Sequence, residues 1–189
     1  MRPNKKELKF LLLSYNCFFD LYDEIHSDKF WKRTKYYRYN HIKDIFAIYS
    51  ELLNYPPIQI ELKKMEKSRP PMQAELGREV FKFVRNVVTH IPFFKSWNEV
   101  WFDRDLVNWY KNAQSIDRFL KRHEGKEPLK FRMWQKKEKK MLYTSINFPN
   151  GYSKGKRVYL KEMITEKEGI LFSTVFMIQV LLTQVEYVK

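Results

Sequence analysis

The run Phe83-Val84-Arg85-Asn86-Val87-Val88-Thr89-His90 sets a permanent cation, an amide and an imidazole within six residues. Arginine stays charged, and its planar fork matches the oxygens of a phosphoryl group. Histidine, with an unperturbed pKa of about 6.5, takes or gives a proton close to neutrality. Together they suit attack of a ribose 2′-hydroxyl on its neighbouring phosphodiester. The imidazole would move the proton, and the guanidinium would meet the charge that develops on oxygen. Residues five apart on a helix differ by about 140° in azimuth, so Arg85 and His90 converge only if His90 is at the helix end and Arg85 extends towards it. Pro92 supplies that end, and the free carbonyls there favour a protonated imidazole.

The same residues have a structural reading. A histidine near a helix end also caps it or bonds a backbone carbonyl, and Arg85 could pair with Glu79. Arg118 and His123 repeat the separation of Arg85 and His90, with Phe119 where Asn86 stands, but within a run of charge. The apolar setting of the first pair favours it as the site. No Gly-rich phosphate loop, G-x-S-x-G or H-E-x-x-H occurs, and His26 and His41 lack metal-ligand spacing. No metal and no cofactor are expected. Single Cys17 forms no internal disulfide, which points to a reduced, cytoplasmic protein.

Charge points to the partner. The chain of 189 residues carries a net +14. From Arg118 to Lys161 there are 14 basic residues against Glu124, Glu127 and Glu138. Residues 29–43 hold six Lys or Arg and no acid, interleaved with Phe30, Trp31, Tyr36, Tyr37 and Tyr39. Cations attract phosphates and aromatic faces stack on the bases of single strands, so RNA is the expected ligand. Lys32, Arg33, Lys35, Tyr36, Tyr37 and Arg38, with Lys136, Lys137, Lys139 and Lys140, are its expected contacts. Two bland readings stand beside this one. The tyrosines could pack on the core, and the lysines could solvate a turn or protect a strand edge.

The elements that must position these residues follow from periodicity. Residues 4–26 read as a helix with Leu8, Leu12, Tyr15, Phe19, Tyr22 and Ile25 at helical spacing. A second runs from Tyr37 to Asn54 and stops before Pro56-Pro57, and residues 58–71 read as a charged loop with room for one short helical turn. A third spans Pro71 to His90. A fourth starts at Asp103 or Asp105, reaches Arg122 and is followed by Gly125 at positive φ. The period then changes to two: Leu129–Trp134 and Met141–Phe148 form a hairpin around the turn Gln135–Lys140, with Arg157–Leu160 as a third strand beyond Asn150-Gly151. Thr165-x-x-Glu168 is a capping box that opens the last helix. Gly169–Val185 is uncharged but carries Ser173, Thr174, Gln179, Thr183 and Gln184, and acids flank it, so a buried helix is expected and no membrane span. Phe10–Phe19 has the look of a signal-peptide core, yet its apolar spacing continues through Leu21 and Ile25, as in an amphipathic helix. Trp97, Trp101, Trp109 and Tyr110 could form a stacking surface, but they are expected to pack a helix–loop–helix corner. A single domain over residues 1–189 is expected, with a helical core at about 4–122 and 165–187 and a basic β element at about 128–161.

Arg85, Asn86 and His90, on an apolar helix of a basic, mainly helical chain, resemble the signature of the HEPN superfamily: an Arg followed by a polar residue, often Asn, then a His four to six residues on. The resemblance implies a HEPN-like helical bundle that forms a homodimer in which two motifs share one cleft. It also implies a metal-independent endoribonuclease of the toxin–antitoxin or phage-defence kind, with an antitoxin protein as a further partner. Arg85 and His90 would be the catalytic pair, with Asn86 in support. The basic β element lies outside the family's helical core. A non-catalytic nucleic-acid-binding or regulatory protein on the same scaffold is the alternative.

Overall fold

A computed structural model describes residues 3–56, 58–60, 63, 71–91, 93–110, 114–135 and 137–181. The chain is mainly helical, with a small antiparallel hairpin towards its C-terminal end, as the periodicity predicts. The helices are α1 (Lys5–Ile25), α2 (Asp28–Trp31), α3 (Lys35–Leu53), α4 (Pro71–His90), α5 (Arg104–Trp109), α6 (Gln114–His123), α7 (Leu160–Met163) and α8 (Glu166–Leu181). The strands are β1 (Trp101–Phe102), β2 (Leu129–Gln135), β3 (Lys140–Ile146) and β4 (Val158–Tyr159). Residues 1–76 with 174–189 form one compact unit, and residues 77–173 form another.

In the first unit, Asn4 caps α1. Its side-chain oxygen accepts from the amides of Lys6 and Glu7 at 2.9 and 3.0 Å, and its own amide donates to Glu7 Oε2 at 2.7 Å. Leu11, Tyr15, Phe18, Tyr22 and Ile25 bury one face of α1, and Tyr39, Ile42, Ile45, Phe46, Tyr49 and Leu52 bury the matching face of α3. Thr34 caps α3 through the amide of Tyr37, so α3 starts two residues before the expected Tyr37. Ser27 caps the short α2, which the sequence did not announce. Of the expected loop with a short helical turn at 58–71, residues 58–60 are helical and most of the rest lies outside the described residues, as do Pro92 and residues 182–187 of the expected last helix.

In the second unit, the fourth expected helix is two. Asp103 caps α5 by accepting from the amide of Leu106 at 2.8 Å, but Tyr110 is extended, and the next described helix is α6. On one continuous helix the buried pair Leu106 and Val107 would face about 140° away from Ile116, Phe119 and Leu120, at 100° per residue. The interruption lets both sets be buried. The hairpin forms with Leu129 opposite Ile146, Met133 opposite Leu142 and Gln135 opposite Lys140. Residues 158–159 are a strand, as expected, but they pair with Trp101–Phe102 rather than extend the hairpin. Trp97 is buried and its Nε1 donates to the carbonyl of Ile164 at 3.0 Å, while Arg157 lies 3.8 Å over the ring of Trp101. Trp109, expected to pack, is 77% exposed because α5 turns only Leu106 and Val107 inward.

Two glycines matter. Gly125 adopts φ +69°, as expected past the end of α6. In α8, which Thr165 caps through the amide of Glu168 at 3.3 Å, Gly169 lets Trp97 approach: a β-carbon there would sit 2.3 Å from the indole. The indole is tethered to Ile164, so it has little room to yield. Gly169→Ala should cost ~1–3 kcal/mol of overpacking strain, read as a lower urea midpoint at unchanged slope. An unchanged midpoint would mean that Trp97 moves aside freely.

Candidate functional site

The expected catalytic residues lie in the last turns of α4, inside the second unit. Val80, Phe83, Val84, Val87 and Val88 bury one side of this helix. The polar residues between them are therefore held at fixed azimuths. Arg85 Nε and Nη2 both donate to Asn86 Oδ1, at 3.2 and 3.0 Å. Asn86 is 7% exposed, and its Nδ2 donates to Ser115 Oγ at 2.8 Å. Two of the five N–H bonds of the guanidinium are used in this fork. Glu79 is not the partner of Arg85: its carboxylate accepts from Arg122 and from His123 Nε2, the latter at 2.9 Å.

His90 is the last residue of α4, half-buried, and one helical turn beyond Asn86 on the same face. Its pKa lies below the usual histidine value. Burial disfavours the charged ring, and the Arg85 cation disfavours it further. This reverses the expectation that the helix end favours imidazolium. The carbonyl dipoles are outweighed by desolvation and a full positive charge. A neutral ring is the form that accepts a proton.

A cleft of about 190 Å³ lies beside Asn86. Glu79, Lys82, Phe83 and Asn86 of α4 form one wall, and Ser115, Arg118, Phe119 and Arg122 of α6 form the other. Each set has the spacing i, i+3, i+4, i+7 of a single helix face. Lys82 and Arg118 make no ion pair among the described residues, so the cleft has cations to offer an anion. Ser115, Lys82 and Arg118 are absent from the sequence expectation. The matching spacings are the signal that could have found them. Arg118 and His123, the second pair with the same separation, part company in the structure. His123 is buried against Phe119 and Phe148 and bonded to Glu79, a structural residue, whereas Arg118 shares the cleft with Asn86.

The basic segment at 29–43 belongs to the first unit, and folding uses part of it. Tyr39 is fully buried. The Tyr37 hydroxyl donates to Glu24 Oε1 at 2.5 Å and its ring lies 4.0 Å from that of His41. That hydrogen bond, ahead of the His41 contact, holds the Glu24 carboxyl below its ordinary pKa. Arg38 Nη1 donates to the carbonyls of Arg33 and Trp31, at 2.6 and 3.3 Å. Lys32, Arg33, Lys35 and Tyr36 stay exposed. In the hairpin turn, Lys137, Lys139 and Lys140 are exposed, and Lys136 lies outside the described residues.

No family model, curated protein or solved structure matches this chain.

The depressed pKa of His90 makes stability depend on pH with a definite sign. Between the folded-state value and the unfolded value of about 6.5, the unfolded chain binds more protons. Stability should therefore be level well above the unfolded value of about 6.5 and fall as pH drops from there towards the folded-state pKa. Chemical denaturation of wild type and His90→Asn between about pH 5 and 8 checks this. The variant should lose that part of the slope, and parallel curves would count against a buried, cation-facing imidazole.

Proposed function

We propose that the chain is a HEPN-like, metal-independent endoribonuclease acting on single-stranded RNA, of the toxin or phage-defence kind. The observation that carries this reading is the Arg85–Asn86 fork set beside an imidazole that burial and Arg85 keep neutral. Neutral His90 takes the proton of a 2′-hydroxyl. The 2′-oxygen bonds to phosphorus, the P–O5′ bond breaks, and the 5′-oxygen leaves with a proton. Arg85, steered by Asn86, meets the equatorial phosphoryl oxygens with its free N–H bonds. The products are a 2′,3′-cyclic phosphate and a 5′-hydroxyl. The leaving oxygen takes its proton from a water molecule, which recovers one from the His90 imidazolium, in a cleft that two motifs of a homodimer share. Lys82 and Arg118 hold the flanking phosphates, and an antitoxin protein would restrain the enzyme by covering this cleft. The alternative is a non-catalytic nucleic-acid-binding protein, and the exposed Lys32, Arg33, Lys35 and Tyr36 favour that reading equally.

Purified protein in EDTA should cut single-stranded RNA to 2′,3′-cyclic ends and leave DNA, which lacks the nucleophile, intact. His90→Ala should abolish cutting with RNA affinity within a few-fold, because a neutral ring adds little to phosphate binding. Arg85→Ala should abolish cutting and weaken binding as well, since a fixed cation acts in both ground and transition states. Equal, low activity in wild type and His90→Ala would leave the binding protein as the answer. Sedimentation offers an independent check: a shared cleft requires a dimer at tens of micromolar protein, and a strict monomer would remove the shared cleft.

A further inference from the structure

The outward face of the hairpin carries Lys130, Arg132 and Trp134 on β2 and Met141, Tyr143 and Ser145 on β3. The register sets Trp134 opposite Met141 and Arg132 opposite Tyr143, so the two aromatic rings are diagonal neighbours, about 7–8 Å apart at the backbone. The opposite face turns inward: Gln135, Thr144 and Ile146 are buried and Phe131 packs on Phe172. Trp134 is 49% exposed, Met141 40% and Tyr143 70%. Two aromatics and a methionine left facing water on one small ribbon need an explanation beyond solubility. Lys130 and Arg132 make no ion pair among the described residues, and the turn adds Lys137, Lys139 and Lys140 against Glu138 alone. A protein partner for an apolar ribbon would not call for this surplus of positive charge. A strand of unpaired nucleotides would: its bases stack on the rings and its phosphates meet the flanking cations.

We infer that this face is a stacking platform for single-stranded RNA, separate from the Arg85–His90 site and built from Trp134 and Tyr143 with Lys130 and Arg132. It rests on the RNA reading of the protein but not on catalysis. The test is fluorescence anisotropy of a labelled 12-nucleotide oligouridylate, with His90→Ala as the parent so that cutting does not interfere. Adding Trp134→Ala and Tyr143→Ala should weaken binding about ten-fold or more with the salt slope unchanged, as expected for loss of base stacking. Adding Lys130→Gln and Arg132→Gln should instead lower the log–log salt slope by about 1.4. The Trp134→Phe, Tyr143→Phe pair should keep most of the affinity, which separates lost stacking from a damaged hairpin. A duplex of the same length should bind at least several-fold more weakly, its bases being stacked already. Undiminished binding by the alanine pair, duplex binding equal to single strand, or loss of a dimer with RNA affinity intact would each overturn the platform. A catalytically silent wild type that still shows these binding losses would overturn the nuclease reading and leave the platform standing.

Discussion

Phe83 and Phe119 meet ring to ring across α4 and α6, with centroids 4.4 Å apart and planes within 18°. The candidate site depends on this seam. At one end Glu79 accepts from Arg122 and His123, and at the other Asn86 donates to Ser115. Early residues of α4 thus meet late residues of α6, and the helices run antiparallel with a polar tie at each end of an apolar contact. The ties are unequal. Glu79 satisfies a buried imidazole, and losing it would leave that group without a partner, at a cost of about 1–3 kcal/mol. Asn86 satisfies a hydroxyl at the cleft and also steers Arg85. A tie that fixes packing and a tie that aims a functional group therefore share one frame.

Chemistry at α4 follows from what this frame does to charge. Arg85 spends two of its five N–H bonds on Asn86. That cost buys direction: a guanidinium with a fixed plane presents its remaining donors without first losing rotamer freedom. The same cation, together with burial, biases His90 towards its neutral form. An imidazolium would be the better acid and a neutral ring is the better base. A neutral ring beside a fixed cation is the pairing that the proposed transesterification asks of a base and its phosphate-binding partner.

Much of this was legible in the sequence, for physical reasons. Long amphipathic segments state their structure many times over, so α1 and α4 have the expected extents, and the hairpin's two-residue period gave its strands. What could not be read depends on distant partners. Two-residue strands have no periodicity, so the pairing of Trp101–Phe102 with Val158–Tyr159 was invisible. The break at Tyr110 lies where local propensity permits a helix and only the burial of both flanking faces forbids it. Arg85, Asn86 and His90 were found by residue type and spacing. Ser115 was not, because its role exists only once α6 is laid against α4.

The two basic, aromatic segments make the same point more sharply. By composition, residues 29–43 were the stronger candidate for stacking on bases, with Arg and Tyr interleaved. On a helix, however, Tyr39 falls on the buried face of α3 and Tyr37 falls within reach of Glu24, so folding withdraws two of the three tyrosines. In the hairpin the arithmetic runs the other way. A period of two separates neighbours onto opposite faces, so Phe131 and Met133 go inward, while Arg132 and Trp134 go outward beside Tyr143. A single-residue slip of register would bury the charges and expose the core face, which burial of Thr144 and Ile146 opposes. The same burial that stabilises the hairpin therefore also decides which aromatic rings remain at the surface.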